Sequence, residues 1–220
     1  GDLKVAHCVD AACSSATLTT VDATGDVGRS TAIAIGSDGL PVISYSDLSN
    51  TNLKVAHCDN AACSSATLST VDAAGDVGFY TAIAIGSDGR PVISYYDLTN
   101  GDLKVAHCDN ADCSSATLST VDAAGNVGRH TAIAVGSDGR PVISYYDVTN
   151  AYLKVAHCAN VACSSATLST VDAAGDEVAD TAIAIGSDGR PVISYHDLTN
   201  GDLKVAHCVD AACSSATLST

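Results

Sequence analysis

The chain has 220 residues and a formal charge of −15, with 25 acidic residues against 10 basic ones. An acidic excess of this size argues against nucleic-acid binding, which needs a basic surface, and against adsorption to anionic membranes. A hydrophobic content of 46% is enough for a substantial core. No apolar run approaches the ~20 residues that span a bilayer.

LKVAHC begins at Leu3, Leu53, Leu103, Leu153 and Leu203, so the chain is built on a repeat of 50 residues. Periods of this length mark propellers, solenoids or arrays. The first predicted strand is residues 3–8. A connection closed by Cys8 and Cys13 leads to a second, Thr-rich strand over residues 16–22, half apolar as suits a strand with solvent on one face. Residues 23–30 read as a Gly-containing linker. The next two strands are the most regular part of the repeat, typified by TAIAIGSDGRPVISYYD at 81–97. Their β-branched and aromatic residues fit a pleated, buried surface. Asp-Gly between them signals a tight hairpin, and Pro91 opens the second strand, where a missing N–H is tolerated. The small Ala82 and Ala84 mean that whatever covers one face of the first strand comes close. The hairpin recurs at 31–47, 131–147 and 181–197.

Each period thus holds four short strands with tight connections and one longer linker. This predicts an all-β chain, a β-propeller of four-stranded antiparallel blades. The predicted units are a half-blade at 1–25 and blades at 31–72, 81–122, 131–172 and 181–220. A β-solenoid is the alternative; it fits less well because its coils are shorter and do not alternate tight hairpins with one long linker.

Ten cysteines form five pairs, each with four residues between: Cys8/Cys13, Cys58/Cys63, Cys108/Cys113, Cys158/Cys163 and Cys208/Cys213. One local disulfide per repeat, made in an oxidising compartment, explains the even count. A zinc site is the rival. Each repeat would supply two thiolates and the neighbouring histidine, yet adjacent strand residues point to opposite faces. The absence of a signal peptide fits a mature chain or a fragment.

The S-D-G hairpin, the Y-x-D strand end and the N-G-D turn resemble blades of secreted bacterial β-propeller repeat proteins. The kelch double glycine and tryptophan are missing. The sialidase Asp-box does not fit either, since Ser87, Asp88 and Gly89 are consecutive and the chain has no Trp. The resemblance implies no catalytic residues.

Three groups are candidates for chemistry. His7, His57, His107, His157 and His207 read as satisfied structural histidines. Asp47, Asp97, Asp147 and Asp197, with Asp22, Asp72, Asp122, Asp172 and the linker residues Asp26, Asp76 and Asp176, share one loop face and are candidate Ca²⁺ ligands; turn capping is the simpler reading. The third group is the positions where the repeats differ. Residues 29–30, 79–80, 129–130 and 179–180 read Arg-Ser, Phe-Tyr, Arg-His and Ala-Asp, and residues 46, 52 and their counterparts also vary. Tyr80, Tyr96, His130, Tyr146, Tyr152 and His196 from this set form a candidate binding face for sugar stacking or protein contact.

Near-identical repeats offer no asymmetric catalytic constellation, and Glu177 is the sole glutamate. The expectation is therefore a non-enzymatic, extracellular or cell-surface repeat protein without a cofactor. It would be a structural or filament-forming element that associates with itself, since one strand pair lacks its hairpin. A lectin-like propeller that binds glycan or a surface protein is the alternative.

Overall fold

The computed structural model describes residues 1–173 and 178–220; Asp176 and Glu177 lie outside the described residues. All regular structure in them is β. The first two strands, β1 (Leu3–Cys8) and β2 (Ala16–Asp22), form a two-stranded sheet. Four antiparallel sheets of four strands follow. The first holds β3 (Val27–Ile35), β4 (Pro41–Asp47), β5 (Asn52–Cys58) and β6 (Ala66–Asp72). The second holds β7 (Val77–Ile85), β8 (Pro91–Asp97), β9 (Asp102–Cys108) and β10 (Ala116–Asp122). The third holds β11 (Val127–Val135), β12 (Pro141–Asp147), β13 (Tyr152–Cys158) and β14 (Ala166–Asp172). The fourth holds β15 (Val178–Ile185), β16 (Pro191–Asp197), β17 (Asp202–Cys208) and β18 (Ala216–Ser219). Strand order within each sheet is sequence order.

The first strand of a sheet starts earlier than the sequence predicts. β7 runs from Val77, so four residues assigned to the linker are strand. They escape the hydrophobic pattern because the strand is bulged there. Val77 faces Asp97, Phe79 faces Tyr96, and Ala82 faces Ser94, with register shifts between. Gly78 sits at φ +88, where a Cβ would lie 2.8 Å from the Leu53 Cα of the preceding sheet. Only glycine allows that approach.

The core lies between sheets. One cluster joins Val42, Leu53 and Val55 of the first four-stranded sheet to Val77, Ile83, Ile93 and Tyr95 of the second, with Ala32 and Ala34 packed against it. Alanines thus face forward to the next sheet and isoleucines face back. Small against large lets the sheets interdigitate closely, as the alanines suggest. The same packing recurs at the next two interfaces.

Five local disulfides join the expected cysteine pairs, Cys8–Cys13, Cys58–Cys63, Cys108–Cys113, Cys158–Cys163 and Cys208–Cys213. The pairing agrees with the sequence reading, but the setting differs from a plain connection between strands. Cys58 and Cys63 are buried in the cluster with Leu3 and Ile43, and Cys108 and Cys113 in the cluster with Leu53 and Ile93. Cys158 and Cys163 pack with Leu103 and Ile143, and Cys208 and Cys213 with Leu153 and Ile193. Each of these loops leans on the sheet before its own, so the disulfides belong to the core. Cys8 and Cys13 are exposed, with no described sheet before them to pack on.

The reason is in the backbone. Cys13, Cys63, Cys113, Cys163 and Cys213 take left-handed φ values of 51°, 52°, 52°, 49° and 51°. Each closes a turn by donating its amide to the residue three before it, as Cys63 does to Asn60 at 2.9 Å and Cys163 to Asn160 at 3.1 Å. The turned loop then presents a carbonyl to the preceding sheet. Thr19, Ser119 and Ser169 donate to the carbonyls of Ala62, Ala162 and Ala212 at 3.2, 3.2 and 2.8 Å.

The innermost strands follow one another around an axis: β3 packs on β7, β7 on β11 and β11 on β15. The series of sheets does not close on itself.

Candidate functional site

The bulge of each innermost strand contains one non-glycine residue in the left-handed region. Ser30, Tyr80, His130 and Asp180 have φ of 49°, 51°, 52° and 50°. This conformation costs an L-residue about 1–2 kcal/mol, and such strain persists only where the surroundings fix it. Threonines of the next strand do so here. The hydroxyls of Thr81, Thr131 and Thr181 donate to the carbonyls of Ser30, Tyr80 and His130 at 2.7, 3.1 and 2.7 Å. Each threonine hydroxyl also lies 2.7–2.9 Å from a serine hydroxyl of the preceding sheet.

The result is one depression of about 180 Å³ into which all four inner strands turn a different side chain. Tyr80 and His130 stack with centroids 4.4 Å apart. His130 Nδ1 lies 3.3 Å from the exposed Asp180 carboxylate. Tyr96, its ring centroid 6.3 Å from that of Tyr80, is 2% exposed and donates its phenol to Asn126 Oδ1 at 2.8 Å. The Arg129 guanidinium lies 5.4 Å from the Tyr96 ring, and its Nε is buried without a hydrogen-bond partner.

Of the residues expected on a binding face, Tyr80, Tyr96 and His130 come together. Tyr96 does not line the depression; its ring lies 6.3 Å from that of Tyr80, and with Asn126 and Arg129 it lines a separate groove. Tyr146 is buried in the core between the third and fourth sheets. Tyr152 and His196 are half-buried on neighbouring strands. Ser30 and Asp180 are the variable members of the depression that the sequence reading did not single out. The signal for both was present, because they belong to the variable pairs 29–30 and 179–180.

The other candidates hold the fold. Asp47 caps its turn, accepting from the Asn50 amide and side chain at 3.0 Å each, and Asp97, Asp147 and Asp197 do the same in their own sheets. These four carboxylates, the candidate calcium ligands, are buried in separate sheets. Among the described residues no three His, Cys, Asp or Glu side chains are gathered as metal ligands would be. His57, His107, His157 and His207 each bond the hairpin aspartate of their own sheet through Nε2 at 2.8–2.9 Å. Asp102, at the start of β9 and outside the lining of the depression, has a raised pKa, first through burial and then through the charge of Asp97.

No known protein family matches the sequence, and no functionally curated protein does either. Solved structures do match the fold. A protein of unknown function from Dyadobacter fermentans aligns over 92% of this chain and 68% of its own, with a TM-score of 0.62 and 11% identity. An α-L-arabinofuranosidase from Lactobacillus brevis aligns over 86% of this chain and 71% of its own, with a TM-score of 0.58 and 13% identity. An exo-β-1,3-galactanase from Phanerochaete chrysosporium covers 99% of this chain and 53% of its own, at 0.59 and 10%.

The fold is similar to that of propeller-type glycosidases and sialidases. At these identities the likeness is one of fold, and it does not tie the chain to the secreted repeat proteins that its turn motifs resemble. It does correct the exclusion of catalysis, since glycoside hydrolases share this architecture. The physical reason is in the depression. Near-identical repeats still build an asymmetric cluster when the few positions that differ are the ones that converge.

Proposed function

We propose that this chain is an extracellular, carbohydrate-recognising propeller of four blades and a half-blade. The sugar would sit in the depression lined by Ser30, Tyr80, His130 and Asp180. One observation carries the reading. In a chain of near-copies, the four inner strands hold four different side chains at the same strained position, all turned into one depression. Strain kept at equivalent sites with unlike residues fits a binding role better than a packing role.

The chemistry of the four suits a sugar. Tyr80 offers an aromatic face to ring C–H groups. Asp180 accepts, Ser30 donates or accepts, and His130 does either, so together they can pair vicinal hydroxyls. The disulfides favour survival in an oxidising compartment, which supports the extracellular assignment. The glycosidase-like fold makes turnover of the bound sugar part of the question. Asp180 is the carboxylate to replace if turnover is found.

The test is incubation of the purified chain with arabino-, xylo- and galacto-oligosaccharides and sialosides, following both retention and release of reducing sugar. Retention of at least one class is expected. Neither retention nor release across the panel overturns the reading. Association with other chains, also expected from the sequence, is a property of a different surface and does not compete with sugar binding.

A further inference from the structure

A groove separate from the depression lies between the second and third four-stranded sheets. It measures about 510 Å³, within the ~300–1,000 Å³ usual for ligand pockets. Tyr96 and the turn at 98–101 come from the second sheet. Gly125, Asn126 and Arg129 come from the linker and first strand of the third. None of these residues lines the depression.

Repeat copies of these residues fill the corresponding places at the neighbouring interfaces. At the interface before, Ser46 stands in place of Tyr96 and donates to the Gly78 carbonyl. Thr51, in place of Gly101, reaches the Gly75 carbonyl at 3.3 Å. At the interface after, Tyr146, Val148 and Ala151 pack into the core cluster. Between the second and third sheets Gly101 brings no side chain, and Leu98 stays 43% exposed.

Two further differences set the charge of the groove. Arg29 has Asp26 three residues before it, whereas Arg129 has Asn126. The Asn126 Oδ1 accepts from the Tyr96 phenol at 2.8 Å, and its amide N–H groups bond no described residue. Among the described residues the Arg129 guanidinium makes no hydrogen bond or ion pair. It lies 5.4 Å from the Tyr96 ring, and its Nε is buried without an acceptor. Lys54, Lys104 and Lys154, by contrast, each have a carboxylate within 2.6 Å. A half-buried guanidinium carries five donors, and leaving them without acceptors costs free energy that an arriving acceptor recovers.

We infer that this groove is a subsite for the carboxylate of an acidic sugar, a hexuronic acid. The planar guanidinium matches a carboxylate with two parallel N–H···O bonds. The ligand thus supplies the charge that Asp26 carries beside Arg29 and that Asn126 lacks. The Asn126 amide donates to a sugar hydroxyl, and Leu98 covers ring C–H groups. One guanidinium balances one negative charge, which suits a uronate better than a phosphate dianion in a chain of net charge −15. The ligand class rests on the sugar reading above; the groove itself shares no residue with the depression.

The probes are D-glucuronate and D-galacturonate, with D-glucose, D-galactose and acetate as controls. Each is titrated into the isotope-labelled 220-residue chain and followed at the Arg129 Nε–H resonance, assigned with Arg129→Gln. Saturation by one uronate per chain is expected, with the neutral sugars and acetate weaker by about tenfold or more. Asn126→Asp installs the residue that Asp26 and Asp76 show at this position, so the fold is kept, which circular dichroism checks. It sets a competing carboxylate beside Arg129 and should weaken uronate binding about tenfold or more. Saturation at Arg129 supports the subsite even where the depression retains no neutral sugar, so the two readings fail separately. The proposal is overturned by no saturation with either uronate, by equal binding of the neutral sugars or acetate, or by equal uronate binding to the Asn126→Asp chain. Uronate binding that is lost in Tyr80→Ala and kept in Asn126→Asp would put the sugar in the depression and overturn it too.

Discussion

Tyr95 in one sheet donates its phenol to Asp72 in the sheet before it at 2.7 Å, and Lys104 reaches the same carboxylate. The link recurs as Tyr45–Asp22–Lys54 and Tyr145–Asp122–Lys154, while in the last sheet Tyr195 bonds Asp172 and Lys204 lies 3.6 Å from it. The aspartate ends an outer strand; the tyrosine and lysine belong to inner strands of the next sheet. Burial and the adjacent carboxylate both push the tyrosine pKa values up, so the phenols stay donors. Apolar packing sets the spacing between sheets, and this buried triad fixes their registration.

Two substitutions separate the parts of the triad. Tyr95→Phe removes one donor and leaves Asp72 paired with Lys104; it should cost about 1–2 kcal/mol. Asp72→Ala leaves a nearly buried ammonium with its main partner gone and should cost about 3 kcal/mol or more. Urea denaturation of both variants checks the order, and a milder effect from Asp72→Ala would argue against the triad.

The same carboxylates set the response to acid. Burial raises the pKa of Asp72 and Asp122, but hydrogen bonds from the lysine, the tyrosine and a backbone amide outweigh it and hold both below the ordinary value. A group with a depressed native pKa binds more protons unfolded than folded. Its contribution is complete above the unfolded pKa of about 4 and is lost as pH falls through the lower native value. Urea midpoints should therefore fall below about pH 4, and the fall should be smaller in the Asp72→Asn variant.

The disulfides divide by burial. All five close very short loops, so the cross-link itself contributes modestly. Replacing the exposed Cys8 and Cys13 together by serine should cost about 2 kcal/mol in the chain-entropy model. The same change at the buried Cys108 and Cys113 also strands two hydroxyls in the core and should cost about 1–3 kcal/mol more. Urea denaturation compares the two double variants, and equal losses would mean that the buried loops carry no packing between sheets. Denaturing, non-reducing mass spectrometry of the native chain should find no free thiol.

The left-handed residues invite the reverse change. Ser30→Gly relieves a conformation that costs an L-residue about 1–2 kcal/mol, offset by about 0.4–1 kcal/mol of added freedom in the unfolded chain. A gain of up to about 1 kcal/mol is expected by thermal or urea unfolding. The Ser30 carbonyl that holds Thr81 is untouched by the change.

Much of the fold was legible in particular residues. The Asp88-Gly89 turn and the Ile83/Ala84 alternation mark the hairpin, and the repeat gives its copies. The start of β7 was not legible, because Gly78 and Tyr80 interrupt the alternation while backbone pairing continues through the bulge. The spacing of Cys58 and Cys63 announces a local bridge, but not that the bridged loop packs on the sheet before it. The role of Tyr95 was hidden too, since its partner Asp72 is 23 residues away in another sheet. For the site, the sequence displays which positions vary, and Tyr80 and His130 follow from that. It does not display that Ser30 and Asp180 meet them. Their meeting depends on how four sheets turn about an axis, and pairwise patterns along a chain do not encode that turn. The same gap led to the exclusion of catalysis: each repeat taken alone is featureless, and the asymmetry exists only at the convergence.

Sugar recognition at the depression is tested most directly by a glycan array probed in parallel with the native chain and the Tyr80→Ala variant. Tyr80 is half-buried and stacks on His130, so its loss removes some packing, and the unfolding midpoint of the variant is measured alongside to show that it is folded under the array conditions. The native chain should retain at least one class of glycan, and Tyr80→Ala should lose about tenfold or more in affinity for it, ~1.4 kcal/mol. Equal retention by the variant, or none by either protein, would contradict the assignment of this site.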